Sequence, residues 1–79
     1  MMPIQDLLNK IKWDKREKPD SYGIFYFDRI EKILIEIPYA KIKRIEGSFM
    51  VLDNGEESNV PLHRIKKVIK NDVVVWERK

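Results

Sequence analysis

The chain has 79 residues with no Cys, one His and three Gly, so it has room for a single domain over residues 1–79. A chain of this size buries only roughly 60% of its unfolded surface, so its core is small. Without Cys there is no disulfide framework or thiolate metal site, and His63 alone makes no structural zinc site; no metal or other cofactor is expected. Sixteen Lys and Arg oppose thirteen Asp and Glu, and a net charge of +3 permits an anionic partner without demanding one. No apolar run approaches the roughly 20 residues of a membrane span. The start, Met1 to Asp6, has no basic stretch of a signal peptide, so a cytoplasmic protein without a membrane partner is expected. The charged fraction of 37%, eleven Ile and a single Gln are typical of thermostable proteins.

The first segment predicts a helix. Ile4, Leu7, Leu8 and Ile11 form one apolar stripe at helical spacing. Pro3 suits the first helical position and Asp6 the first turn. Asp14 to Tyr22 then reads as a loop, with six charged residues among nine. It is long for so small a domain, which points to a mobile or functional segment.

The remainder reads as strands. Ile24 to Phe27 is a short apolar run, and Ile33, Ile35 and Ile37 recur with a period of two. Phe49 to Leu52 is apolar on both faces. Asp53-Asn54-Gly55 is a hairpin signal, because Asn-Gly accepts the positive φ angles of a type I′ turn. Glu57 to Val60 should be the return strand and Val73 to Trp76 the last one. Tight turns between these pieces imply antiparallel pairing. The expected fold is α+β: an N-terminal helix packed on a small, mainly antiparallel five- to six-stranded rolled sheet or barrel. Barrel closure on one side and the helix on the other would cover strands that are apolar on both faces.

The sequence also repeats itself. Residues 37–45, Ile-Pro-Tyr-Ala-Lys-Ile-Lys-Arg-Ile, match residues 60–68, Val-Pro-Leu-His-Arg-Ile-Lys-Lys-Val. Ile42 and Ile45, like Ile65 and Val68, stand three apart, which is not strand alternation. A single helical turn after each Pro, then a strand, accounts for the pattern. Two hairpin-turn-strand units would make a pseudo-symmetric sheet or barrel.

The repeat locates the candidate chemistry. Lys41, Lys43 and Arg44 align with Arg64, Lys66 and Lys67, two basic clusters that either solvate strand ends or together form one positive surface. Arg and Lys are the side chains that phosphate contacts require. His63 replaces Ala40 of the first copy, which breaks the local symmetry. Asp28-Arg29 falls at a hairpin tip, where Asp starts the turn or orients Arg toward a phosphate. Trp13 and Trp76 read first as core; an exposed ring would instead stack a nucleobase. No Gly-rich phosphate loop and no serine nucleophile motif is present, and paired-histidine hydrolysis lacks its second His.

At these residues the chain resembles the small, mostly archaeal protein family described as an RNA cyclic group end recognition domain. Trp13-Asp14, Tyr26-Phe27-Asp28-Arg29, Ile37-Pro38-Tyr39, Arg44-Ile45-Glu46-Gly47, Val60-Pro61-Leu62-His63-Arg64-Ile65 and Trp76-Glu77-Arg78 carry the resemblance. Family members often have Pro after the Trp-Asp pair, where this chain has Lys15. The resemblance implies a non-catalytic module for single-stranded RNA 3′ ends carrying a 2′,3′-cyclic phosphate, in RNA repair or processing beside a repair enzyme. It carries over Asp28, Arg29, His63, Arg64, Trp76 and Arg78, with Trp13-Asp14 as a further pair. Arg29, Arg64 and Arg78 would contact phosphate, with Lys43 and Arg44 adding positive charge. His63 would donate to a phosphate or ribose oxygen, and Asp28 would orient an Arg. Trp13, Tyr39 or Trp76 would stack a base. A protein-interaction or assembly module, and a small phosphoesterase centred on His63, are the competing readings.

Overall fold

A computed structural model describes residues 3–53 and 57–78. Helix α1 spans Ile4–Trp13 and buries Ile4, Leu8 and Ile11, three members of the expected stripe. Leu7, the fourth, packs partly buried at the edge of the core. Pro3 stands one position before the helix as its N-cap, and the Asp14 amide closes the last turn on the Lys10 carbonyl at 2.9 Å. Asp6 in the first turn and Lys10 and Lys12 in the last complement the helix dipole.

Seven strands follow among the described residues: β1 (Tyr22–Asp28), β2 (Ile33–Pro38), β3 (Ile42–Glu46), β4 (Phe49–Asp53), β5 (Glu57–Pro61), β6 (Ile65–Lys70) and β7 (Val73–Glu77). They pair antiparallel in two sheets, ordered β2-β1-β6-β7 and β3-β4-β5. The α+β class holds. The single rolled sheet or barrel does not, since the strands divide into two sheets without a closed barrel.

The division follows from the repeat. In each copy a hairpin (β1–β2, then β4–β5) leads through a Pro into one turn of 3-10 helix, Tyr39–Lys41 or Leu62–Arg64, and then into a strand. Each third strand leaves its own hairpin and joins the other copy's: β3 pairs with β4, and β6 pairs with β1. The two units therefore exchange their third strands reciprocally, and β7 is added at the edge beside β6. The three-residue spacing of Ile42 and Ile45, and of Ile65 and Val68, has a cause in this pairing. The register shifts between Ile42 and Arg44, and between the partners of Ile65 and Lys67, so Lys43 and Lys66 are extra residues of two equivalent β-bulges. A bulge adds one residue between inward-facing positions, which turns a spacing of two into three.

The core lies between the sheets and under α1, with Ile24, Met50, Leu52, Ile65 and Val68 fully enclosed. Tyr39 joins it and donates its hydroxyl to the Leu8 carbonyl at 2.9 Å, fastening helix to turn. The predicted loop ends a residue early, because Tyr22 opens β1 and Pro19–Ser21 form a short 3-10 turn. The loop is tied down: Glu17 accepts from the Tyr22 hydroxyl and from Lys70 Nζ, and the Asn71 amide donates to the Ser21 carbonyl. Asn71 and Asp72 have φ angles of 51° and 67°, as a two-residue hairpin of type I′ requires, and they connect β6 to β7. The pairing of β4 with β5 agrees with the expected hairpin, while its Asn54-Gly55 tip lies outside the described residues.

Candidate nucleic-acid interface

The β1–β2 connection is built by Asp28. Its Oδ1 accepts the Ile30 amide at 2.8 Å and the Glu31 amide at 3.0 Å, and its carbonyl accepts the Lys32 amide at 2.7 Å. A short acceptor side chain that satisfies two backbone donors fixes a turn. Asp28 Oδ1 thus shapes the turn, and Arg29, next in sequence, stands exposed at its tip. The turn faces β5, which is paired on one side only.

Between them lies a cleft of about 340 Å³ lined by Tyr26, Asp28, Arg29, Ser58, Asn59 and Arg64, among others. Arg64 arrives from the 3-10 turn that follows β5. Its Nε is buried and has no hydrogen-bond partner among the described residues. A buried donor left unsatisfied costs about 1–3 kcal/mol, which an incoming acceptor would offset. Burial pushes the Tyr26 phenol up and the Asp28 charge adds to it, so Tyr26 offers a neutral hydroxyl. Beside the Asp28 carboxylate, whose Oδ1 is committed to the turn amides, the cleft gathers two guanidinium groups, a phenol, a hydroxyl and an amide, donors suited to an anionic oxygen acceptor.

The other expected residues are placed elsewhere. His63 lines a second cleft, of about 350 Å³, with Pro3, Gln5, Ser48 and Arg78. Neighbours in sequence, His63 and Arg64 therefore serve different clefts, and His63 is not joined to Asp28-Arg29. Arg78 braces the fold instead. Its Nε donates to the Ile65 carbonyl at 3.0 Å and its Nη2 to the Leu62 carbonyl at 3.3 Å. Its guanidinium also lies 5.2 Å from the Trp76 ring centre. Trp76 and Tyr39 are buried, at 7% and 8% exposure, so neither ring presents a face for a base. Trp13 is 74% exposed at the end of α1, with Lys12 Nζ 5.2 Å from its ring centre. Trp13 is therefore not core.

Arg44 bonds Glu46 on β3, and Lys43 is the bulged residue beside it. The equivalent Lys67 sits over Phe25, 4.4 Å from the ring centre, on the four-stranded sheet. Strand exchange thus puts the two basic clusters on different sheets. Sequence reasoning misses Tyr26, Ser58 and Asn59 as lining residues. Tyr26 has a signal, since it stands two residues before Asp28 in a motif of the resemblance. Ser58 and Asn59 have none, because only the strand exchange brings β5 to the β1–β2 turn.

Among the described residues no cluster of His, Asp or Glu could hold a metal ion, and no helix is long and apolar enough to cross a membrane. Comparison with known proteins gives a match to the model of the MJ1316 RNA cyclic group end recognition domain over residues 1–78. A UPF0248 protein of Metallosphaera sedula is 34% identical over 77 residues, covering 98% of this chain and 94% of the relative. A UPF0248 protein of Saccharolobus solfataricus is 34% identical over 80 residues, 98% of each chain. One from Saccharolobus islandicus is 32% identical over 80 residues, covering 98% of this chain and all of the relative. No solved structure matches.

Proposed function

Because the chain belongs to the MJ1316 RNA cyclic group end recognition family, we propose that its Arg29–Arg64 cleft binds the end of a single-stranded RNA carrying a 2′,3′-cyclic phosphate. The observation that carries this reading is the buried, unpartnered Nε of Arg64. A cyclic phosphate is a monoanion whose exposed oxygens only accept hydrogen bonds. The Arg64 and Arg29 guanidinium groups and the Tyr26 hydroxyl are donors of the kind it needs. Ser58 and Asn59 would meet the terminal ribose or base edge. The module binds without catalysis: opening a cyclic ester needs a general base at the reacting atoms. Asp28 Oδ1 already accepts two amides, and His63 lines the other cleft. An RNA-repair or processing enzyme would act on the end that this module holds.

The test is one short RNA with 2′,3′-cyclic phosphate, 3′-phosphate and 3′-hydroxyl ends, titrated at physiological ionic strength to screen non-specific attraction. The cyclic end should bind at least about tenfold more tightly than the hydroxyl end, since a charge-assisted hydrogen bond contributes about 1.5–3 kcal/mol. It should also exceed the linear phosphate, whose greater charge a plain basic patch would favour. Equal binding of all three would sink the reading. If the protein's mass then rose with concentration, assembly through edge strand β7 would replace it, since Val73, Val74 and Val75 are exposed there.

A further inference from the structure

Phe49 opens the central strand of the three-stranded sheet yet is 44% exposed. Its strand neighbours Met50 and Leu52 point into the core, so alternation puts Phe49 and Val51 on the opposite face, where Phe49 stands open and Val51 is covered at 1% exposure. Pairing sets Pro61 of β5 directly beside Phe49, and Asn59 beside Val51. Asn59 also lines the Arg29–Arg64 cleft, so the open path from the cleft to Phe49 runs along β5, over exposed Asn59 and half-buried Pro61. Diagonal neighbours on paired strands are about 7–8 Å apart. Phe49 therefore lies about one extended nucleotide from Asn59.

We propose that Phe49 and Pro61, at the open end of this face, form a stacking platform for the base that precedes the terminal nucleotide of the RNA. This rests on the end-binding reading above and extends it from the phosphate to the adjoining nucleotide. The Phe49 ring takes the face of the base and Pro61 flanks it as a second flat apolar surface. The contact is tolerant of sequence, because every base has a π face. The occupant is a single strand, since a paired base cannot expose that face. The arrangement explains why a large aromatic side chain sits in the middle of a sheet without a core to serve.

The test compares two ligands, a nucleoside 2′,3′-cyclic monophosphate and a trinucleotide with the same end, on wild type, Phe49→Ala, Phe49→Leu and Arg64→Ala. The wild type should bind the trinucleotide more tightly than the mononucleotide. Base–aromatic stacking contributes about 1–3 kcal/mol, so Phe49→Ala should lose about fivefold or more on the trinucleotide and nothing on the mononucleotide. Phe49→Leu keeps the apolar bulk without the ring and should lose nearly as much, whereas Arg64→Ala should weaken both ligands. If Phe49→Ala, or Phe49→Leu, binds the trinucleotide as wild type does while Arg64→Ala weakens both ligands, the platform is wrong and end binding stands. If Arg64→Ala changes neither ligand, the end-binding reading fails and the platform falls with it.

Discussion

Arg64 and Arg78 are the same side chain in two opposite situations. Arg78 donates to two carbonyls, Ile65 and Leu62, that bracket the 3-10 turn. Arg64, inside that turn, keeps a buried Nε without a partner among the described residues. One residue commits its hydrogen-bonding capacity to the fold, and the other, beside a cleft, leaves a buried donor uncommitted among the described residues. Hydrogen bonds to charged groups contribute about 1.5–3 kcal/mol. Arg78→Ala should therefore lower the free energy of unfolding by about 1–3 kcal/mol, read by urea denaturation. Arg64→Ala should leave stability unchanged or slightly raised, because it removes an unsatisfied donor, and should weaken RNA-end binding about tenfold or more. The reverse pattern, with Arg64→Ala unfolding the protein and Arg78→Ala removing binding, would exchange their roles. Sequence could not separate the two, since both are Arg in motifs of the same resemblance. Only the carbonyls that Arg78 meets, 13 and 16 residues away, tell them apart.

At the scale of elements, most of the architecture was legible wherever the backbone keeps a regular period. The α1 stripe identified the buried residues of the helix, and the repeated Pro marked both 3-10 turns. Legibility failed where the period slips: the bulges at Lys43 and Lys66 obscure the alternation of β3 and β6. It failed again at the charged loop, which reads as mobile but closes on the sheet through Glu17. The Tyr22 hydroxyl and then the Lys70 ammonium hold the Glu17 carboxyl below its usual value of 4.5. A lowered carboxyl contributes stability above its unfolded pKa and loses it as pH falls through the folded one. Burial, with Glu17 adding to it, pushes the Tyr22 phenol up from 10.0 to about 12. A raised phenol has the opposite sign: its contribution is complete below pH 10.0 and is lost as pH rises toward about 12. Stability should therefore decline at both ends of the pH scale. Glu17→Gln should lower Tm at neutral pH and flatten the decline below pH 4.5. Thermal melts from pH 3 to 8 would check it, and an unchanged acid limb would show that the tether carries no stability.

At the scale of the whole molecule, strand exchange between two similar units ought to create two similar clefts, but the repeat does not copy the chemistry. Aligning Ile37 with Val60 sets Glu36 opposite Asn59 and Lys41 opposite Arg64. The first copy thus carries a carboxylate and a point-charge ammonium where the second has an amide and a planar guanidinium fork. Asp28 already lines the cleft, but there its Oδ1 is committed to two turn amides; Glu36 puts a further carboxylate where Asn59 has an amide, which makes the duplicate position the poorer phosphate site. One RNA end per chain is the expected stoichiometry. Moving that carboxylate tests the logic. Two like charges about 6 Å apart at an effective dielectric constant of about 20–40 repel by about 1–3 kcal/mol. Asn59→Glu should weaken binding of the cyclic-phosphate end by about 5- to 100-fold, less at high salt, where the repulsion is screened. Glu36→Gln has the same change in net charge with opposite sign, but Glu36 lines a different cavity, and it should leave affinity within about twofold at physiological salt. If both variants shift affinity by similar factors in opposite directions, binding follows overall charge rather than one cleft. If only Asn59→Glu acts, the recognition belongs to the Arg29–Arg64 cleft, where the position equivalent to Glu36 carries no acid.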